Sequence, residues 1–255
     1  MISYYVTYYL KNYKEVIGIK MKRIPIEKYR EKLKKIIGKC KHYQSFIGNK
    51  EKAYEYSKVF DIKICPYCNI NYIYTVITKK GKPVIRADFD HFIRRNKRNE
   101  LSVNNLVPCC PVCNSRLKRD TYITSKTHIH PFKDDFDEIA EVCIDIMSFN
   151  YLDEHNFSIK FKKKENTTEE LWNKAKNNIN LFALEDRYNF HKDVVVEIFR
   201  DIKYYYEEKL DEIDELINSN EPTYKRLENY KNIEINQVSL GKLKKDITIK
   251  YTKQT

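Results

Sequence analysis

The chain has 255 residues, of which 33% are charged, and a formal net charge of +12. No stretch approaches the ~20 apolar residues that a membrane span needs, and the first residues lack the basic-then-apolar order of a signal peptide, which argues against membrane and secreted proteins. We therefore expect a soluble, cytoplasmic protein whose positive charge would attract polyanions such as nucleic acid, although a Lys-rich background composition explains the charge equally well.

The N-terminal segment, residues 1–60, is predicted to be helical with a basic surface. Pro25 suits a first helical turn, and the apolar residues after it recur at spacings of four, three and four, which places them on one helix face. These residues are Tyr29, Leu33, Ile36 and Cys40. The tyrosines near the start fit a strand and a helix equally well: Tyr4, Tyr5, Tyr8 and Tyr9.

Residues 61–133 change character and form the predicted catalytic core. Residues 71–77 are β-branched and aromatic, Gly81 lies in a basic turn, and 83–89 has the composition of a second strand. This pattern predicts a hairpin that delivers His91. A polar loop over 94–104 follows, and a helix is predicted to begin near Asn114.

The C-terminal region, residues 134–255, is predicted to be helical, with one stretch at 157–164 that suits a strand. A long helix would carry an apolar stripe with spacings of three and four residues. The stripe consists of Val195, Phe199, Ile202, Tyr206, Leu210, Ile213 and Ile217. Residues 218–222 predict a turn between two helical segments.

Four of the seven cysteines form two Cys-x-x-Cys pairs, a spacing typical of metal sites. Cys65 and Cys68 form the first pair, and Cys110 and Cys113 form the second. The pattern predicts a tetrahedral structural zinc site, which has no open position for substrate and so holds geometry without performing catalysis. Cys109 is a less typically spaced alternative to Cys110. The isolated Cys40 and Cys143 are predicted to be small buried hydrophobes.

Between the two pairs lies an Asp-His dipeptide, Asp90-His91. A neutral imidazole can take a proton from water, and a carboxylate can bind a hard cation such as Mg²⁺. Asn114, directly after Cys113, offers a second hard oxygen. These residues together could hydrolyse a phosphodiester, whereas a lone Asp-His pair is more often an ordinary surface or core feature. Asp88, two residues earlier, is either a further acidic contributor or a solvated side chain.

Three segments resemble the HNH, or His-Me finger, nucleases: Asp90-His91, then Asn104-Asn105-Leu106-Val107-Pro108, then Cys110-Pro111-Val112-Cys113-Asn114. The resemblance covers residues 63–119. It implies an α+β fold, mostly helical around a zinc-stapled ββα-metal core.

This resemblance also implies a role for each residue. His91 would be the general base, Asp90 and Asn114 would bind one catalytic Mg²⁺ or Mn²⁺, and Asn105 would orient the His91 ring. Many such nucleases have Lys three residues after the final Asn, where this chain has Leu117. The basic residues here are Arg116, Lys118 and Arg119.

A second resemblance lies in residues 181–192, which are similar to the helical tail of the PtuB-like HNH subunits of Septu-type and retron-linked anti-phage defence systems. Those nucleases act beside an ATPase. The similarity implies an ATPase partner, or a second copy of this chain, on the Tyr-rich helices. His128 and His130 form a His-x-His pair that suits either a metal or a loop packed on the core, and the core is the stronger interpretation.

Two classes of function compete on this sequence. The first is a metal-dependent HNH endonuclease, a phosphodiester hydrolase acting on DNA, with structured RNA such as tRNA as the alternative substrate. The second is a non-catalytic zinc-ribbon module that binds nucleic acid. The presence of Asp90, His91 and Asn114 together favours the nuclease, because a module without catalysis need not keep all three.

Overall fold

The computed structural model describes residues 24–38, 40–148, 152–204 and 225–252. Within them, helices are combined with short antiparallel strand pairs, which confirms the α+β class. The helices are α1 (Ile26–Ile37), α2 (Tyr43–Gly48), α3 (Lys50–Val59), α4 (Phe136–Ile139), α5 (Glu169–Leu181), α6 (Leu184–Asn189), α7 (Lys192–Tyr204), α8 (Lys225–Lys231) and α9 (Gly241–Thr252). The strands are β1 (Val76–Ile77), β2 (Pro83–Ile85), β3 (Asp88–His91), β4 (Leu106–Cys109), β5 (Ala140–Ile146) and β6 (Phe157–Lys163). A π-helix spans Val112–Lys118, and a 3₁₀ turn spans Glu154–Asn156.

The predicted N-terminal helix is α1, which begins directly after Pro25. Leu33 and Ile36 are buried, as the spacing predicts, and the Tyr29 ring packs against Phe60 at a centroid distance of 5.8 Å. Cys40 lies beyond the helix, which ends at Ile37. The four tyrosines near the start of the chain lie outside the described residues.

The predicted hairpin is present only in part. Strands β1 and β2 pair over two or three residues around the Gly81 turn, and His91 is carried by a separate pair, β3 with β4. Val84 and Ile85 remain exposed, so β2 buries little apolar surface, whereas Phe89 and Val107 are buried between β3–β4 and the rest of the core. The prediction that the first hairpin delivers His91 is therefore wrong, because burial favours the second pair.

The C-terminal region contains a β-hairpin as well as helices. Strand β6 confirms the predicted strand, and its partner β5 falls where helix was predicted. Helix α9 covers this hairpin, and the Asp246 carboxylate accepts a hydrogen bond from the main-chain N–H of Val142 at 2.6 Å. Val195 and Phe199 are buried in α7 as predicted, while the stripe beyond residue 204 and the predicted turn at 218–222 lie outside the described residues.

None of the described helices is both long and apolar enough to cross a membrane.

Candidate metal centre and active site

The four paired cysteines converge on one buried point. The sulfur atoms of Cys65, Cys68, Cys110 and Cys113 all lie within 4.8 Å of one another. A tetrahedral zinc ion with Zn–S distances of ~2.3 Å requires sulfurs about this close, so the four thiols can hold a structural metal ion such as zinc. Cys109 does not belong to the group, because it lies on β4 opposite Asp88 and its thiol is buried elsewhere.

Main-chain geometry positions the sulfurs for metal binding. The N–H of Ile70 points at Cys68 Sγ (3.5 Å), and the N–H of Cys113 points at Cys110 Sγ (3.4 Å). Hydrogen bonds from neighbouring thiols hold the pKa values of Cys68 and Cys110 below their usual range. Burial raises the pKa of the Cys65 thiol, and the hydrogen bond with Cys110 raises that of Cys113. Without a metal, only Cys68 and Cys110 are therefore favoured as thiolates, and a bound cation would draw all four into that form.

The C-terminal region contacts this centre directly. The Arg187 guanidinium donates to Cys113 Sγ at 3.6 Å and to Asn71 Oδ1 at 2.8 Å, and the Tyr188 hydroxyl donates to the Cys68 carbonyl at 3.2 Å. The loop over residues 65–70, which carries Cys65 and Cys68, is called the first knuckle. Within it, Asn69 has a positive φ of 53°, and its side chain donates to the Ile235 carbonyl at 2.7 Å. Residues more than a hundred positions downstream thus hold the cysteine loops in place.

The cysteine group lies where two antiparallel strands meet a helix. In the β3–β4 register, His91 lies opposite Leu106 and Asp88 lies opposite Cys109. The second cysteine pair follows β4 and leads into the π-helix, whose Arg119 N–H bonds to the Asn114 carbonyl five residues earlier at 2.9 Å. The cysteine group therefore lies where it can fix the π-helix beside β3.

His91 lies at the end of β3, half-buried against the N-terminal helices. Its Nε2 lies 2.9 Å from the Glu100 carbonyl oxygen, and its ring meets Tyr43 edge-on at 4.5 Å. A carbonyl only accepts hydrogen bonds, so Nε2 carries the proton and Nδ1 is left as the acceptor. Burial, together with the charges of Arg95 and Lys118, lowers the pKa of His91 below its usual value of 6.5. The imidazole is consequently neutral at pH 7.

Asp90 occupies a different environment from the one expected of a cation ligand. Asp90 is only 3% exposed. Its Oδ1 accepts a hydrogen bond from the Lys118 ammonium at 2.7 Å, and its Oδ2 accepts one from the Tyr67 hydroxyl at 2.7 Å. Both oxygens thus have partners within the chain, and one partner is a cation. The predicted role of Asp90 as a metal ligand does not fit this arrangement, since a nearby ammonium repels a second cation.

Asn105 is buried and close to His91, but its side chain does not contact the ring. Its Oδ1 accepts from the Ile93 N–H at 2.7 Å, and its Nδ2 donates to the Ile93 carbonyl at 2.9 Å. The group that orients the ring is the Glu100 carbonyl, in place of the Asn105 amide predicted to do so. Asn105 instead fixes the main chain that leaves β3. A main-chain carbonyl carries no residue-type signal, so the sequence could not have indicated Glu100.

Asn114 faces Asp88 across the gap between the π-helix and β3. The Asn114 amide nitrogen lies 3.4 Å from Asp88 Oδ2, and both side chains are partly open to solvent. An amide oxygen and a carboxylate are the hard ligands that Mg²⁺ and Mn²⁺ prefer. In the structure the amide nitrogen of Asn114 faces Asp88, so the two oxygens would share a cation only after the amide flips about its Cβ–Cγ bond. Asp88 has a neutral neighbour here, whereas Asp90 is paired with an ammonium.

His128 and His130 do not form a metal site among the described residues. His130 is 1% exposed and packs against the rings of Phe92 and Phe132. Its Nε2 lies 3.1 Å from the Asn104 carbonyl, and its Nδ1 accepts from the Phe132 N–H at 3.1 Å. The His128 ring contacts Thr127 Oγ1. The structure therefore supports the core role for His130.

An exposed basic loop follows His91, and further basic side chains lie on the π-helix and just beyond it. The loop residues are Arg94, Arg95, Lys97 and Arg98, and the others are Arg116 and Arg119. Phosphate groups are the natural counterions of such a surface. The chain matches no protein-family model, no curated protein and no solved structure with which it was compared.

Proposed function

We propose that this protein is a metal-dependent endonuclease of the HNH type that hydrolyses phosphodiester bonds in DNA. The observation that carries the proposal is the state of His91: its Nε2 proton is held by the Glu100 carbonyl, which leaves Nδ1 as an acceptor on a neutral ring. A histidine prepared in this way, beside carboxylates and a basic surface, has the properties of a general base.

In the proposed reaction, His91 Nδ1 takes a proton from a water molecule as the water oxygen attacks phosphorus. The Glu100 carbonyl stabilises the imidazolium that forms, because it accepts the hydrogen bond from the opposite ring nitrogen. A divalent cation on the Asp88 and Asn114 side of β3 would supply Lewis-acid stabilisation of the phosphate and of the leaving 3′ oxygen.

The basic loop provides a reason for polyanions to bind near this residue. Arg95 lies over the Tyr43 ring at 5.4 Å, and Tyr43 in turn contacts His91, so a phosphate bound to the loop would be close to the proposed base. Binding of this kind weakens with salt as counterions are released. Structured RNA carries the same phosphates and remains the alternative substrate.

The proposal extends to an ATPase partner in anti-phage defence, which rests on the resemblance of residues 181–192. One observation from the structure supports a binding surface in this segment: the Phe190 ring is 86% exposed. Aromatic side chains often anchor protein interfaces, and Phe190 is accessible to a partner. The expected outcome is that the purified chain gains activity or specificity with the ATPase, and that Phe190→Ser removes the gain while leaving the activity of the nuclease alone unchanged.

The nuclease proposal is tested by incubating the protein with plasmid DNA and with total tRNA in Mg²⁺, Mn²⁺ or EDTA. We expect metal-dependent cleavage of DNA that falls by about 10²- to 10⁴-fold in His91→Ala, the contribution typical of a general base. His155→Ala is the matched control, because it removes an exposed histidine from a 3₁₀ turn. Binding of nucleic acid without cleavage would instead favour the zinc-ribbon binding module, and cleavage of tRNA alone would make RNA the substrate.

A further inference from the structure

The buried contacts of Asp90 distinguish it from every other acidic residue near His91. Its carboxylate is held between the Lys118 ammonium and the Tyr67 hydroxyl, and the side chains of Asp90 and Lys118 are 4% and 5% exposed. The same ammonium also donates to the His91 carbonyl at 2.8 Å. One lysine therefore joins the π-helix to two consecutive residues of β3.

We propose that Asp90 and Lys118 form a positioning pair for His91, and that the divalent cation of the proposed nuclease binds Asp88 and Asn114 instead of Asp90. The inference rests on the proposed function, because it assigns the cation and base positions of that same site. It also reverses the assignment that the sequence resemblance implies for Asp90.

The first step of the argument is electrostatic. A divalent cation at Asp90 would approach an ammonium that already lies 2.7 Å from the carboxylate, in a buried place where charges are weakly screened. Among the described residues no cationic side chain forms an ion pair with Asp88, whose Oδ2 accepts from the neutral amide of Asn114 at 3.4 Å. Of the two carboxylates on this strand, Asp88 is the one that a cation can reach.

The second step concerns what the ion pair holds. Side chains alternate along a strand, so Asp88 and Asp90 face the π-helix while His91 turns toward the N-terminal helices. The hydrogen bond from Lys118 to the His91 carbonyl fixes the main chain of β3 between Asp90 and His91, whose side chains point to opposite faces of the strand. Without it, the peptide that carries His91 loses its link to the π-helix on which Asn114 lies.

The third step explains how Lys118 reaches this position. In a π-helix each N–H bonds to the carbonyl five residues earlier instead of four, which widens the turn, as the bond from the Arg119 N–H to the Asn114 carbonyl shows. The wider turn brings Lys118, four residues after Asn114, around to the side of the helix that faces Asp90. Leu117, three residues after Asn114, packs against the hydrophobic core instead.

The test measures Mn²⁺ binding to the full-length, zinc-loaded protein by electron paramagnetic resonance, without nucleic acid. The principal variant is the double substitution Asp90→Asn with Lys118→Met, which removes both buried charges and leaves neither unpaired. Its net charge equals that of the wild type, so a general electrostatic effect on cation affinity is absent. Asp88→Asn is the comparison variant.

We expect the double variant to bind Mn²⁺ as tightly as the wild type, and Asp88→Asn to weaken binding by more than the roughly 10- to 100-fold that loss of an outer partner causes. Weak binding in the double variant with normal binding in Asp88→Asn would overturn the cation assignment. Failure of the wild type to bind Mn²⁺ would overturn it as well. These outcomes do not depend on cleavage, so they separate this inference from the proposed nuclease activity.

The positioning role is tested by cleavage kinetics of correctly folded variants. We expect Lys118→Met combined with Asp90→Asn to lower kcat with little change in KM, because the base is displaced while the basic loop still binds substrate. Lys118→Arg, which keeps the charge and hydrogen-bond donors, is expected to restore part of kcat. An unchanged kcat in the double variant would overturn the positioning role.

Discussion

At the scale of single residues, His130 shows how a buried histidine can be fully bonded without serving a metal. Both ring nitrogens have main-chain partners, and two aromatic rings cover it. Burial and the nearby Lys133 lower the pKa of His130 to about 4. Protonation would require a second N–H where the ring now accepts a hydrogen bond, so the folded protein favours the neutral form.

This environment predicts a loss of stability in acid. The unfolded chain protonates a histidine near pH 6.5 and the folded chain only near pH 4, so the unfolded state binds more protons in this window and folding weakens as the pH falls. At 1.36 kcal/mol per pKa unit, His130 accounts for about 3 kcal/mol between neutral pH and pH 4.

The measurement is urea unfolding of the wild type and of His130→Gln from pH 8 to pH 4. The difference between the two proteins isolates His130 from other groups that titrate in this range, including Asp135, whose burial raises its pKa to about 6. We expect the free energy of unfolding of the wild type to fall more steeply than that of the variant. Parallel curves would show that His130 does not contribute.

The sequence predicted His91 and Asn105 as site residues but not their partners. The spacing of Asp-His and of the following Asn residues is a residue-type signal, whereas the Glu100 carbonyl that selects the His91 tautomer belongs to the main chain. The Lys118 contact with Asp90 was also hidden, because it depends on a helix with an unusual number of residues per turn. Contacts made by main-chain atoms or through irregular helices leave little trace in a sequence.

At the scale of elements, the cysteine group lies within the hydrophobic core and joins the first knuckle to the π-helix. Because a structural zinc ion contributes ~10 kcal/mol or more to small sites that depend on it, loss of one ligand is expected to release the metal and unfold the β3–β4 hairpin. We predict this outcome for Cys113→Ala, which removes a buried member of the group.

Cys109→Ala provides a closely matched control. Cys109 is also fully buried and precedes Cys110 directly, but it lies on β4 outside the sulfur group. We expect this variant to keep one zinc ion per chain and to lose only the roughly 1 kcal/mol of a small buried side chain. The two variants are compared by zinc content, measured by mass spectrometry, and by thermal unfolding, followed by circular dichroism. A stably folded, zinc-free Cys113→Ala protein would contradict the prediction.

The elements themselves could be predicted unequally. Helix α1 and strand β6 follow from apolar periodicity, and the paired cysteines indicate their own grouping. Strand β5 was missed although its residues alternate with the period of a strand: Ala140, Val142 and Ile144 are buried, and Glu141 and Asp145 lie on the more exposed face. The first hairpin was overextended, since Val84 and Ile85 have strand propensity but find nothing to pack against.

At the scale of the whole molecule, hydrogen bonds join the C-terminal region to the cysteine group. The main chain of the first knuckle receives hydrogen bonds from Leu240 and Ser239, and the Lys242 N–H donates to Asn69 Oδ1. The Lys242 side chain, 1% exposed, bonds to Asp137 and Asp246, which continues the network into β5. Zinc occupancy and the packing of the C-terminal helices should therefore depend on each other.

Arg187 is the residue that tests this coupling. Four thiolates around a zinc ion leave a net charge of −2, and the Arg187 guanidinium donates to one of these sulfurs while its second nitrogen bonds to Asn71. Outer partners of this kind change metal affinity by about 10- to 100-fold. We predict that Arg187→Gln releases zinc faster to a competing chelator and increases hydrogen exchange in α6 and α9.

Two further variants separate charge from geometry in this prediction. Arg187→Lys keeps the positive charge but lacks the planar fork, so it should release zinc at an intermediate rate. Arg200→Gln removes the same charge from an exposed position on α7 and should behave as the wild type. If Arg187→Gln lost zinc faster without any change in hydrogen exchange, the guanidinium would act on the metal centre alone. Faster exchange in α6 and α9 at unchanged zinc release would make Arg187 a packing residue. Both changes together are expected, because the same side chain touches a zinc ligand and belongs to the helix that covers it.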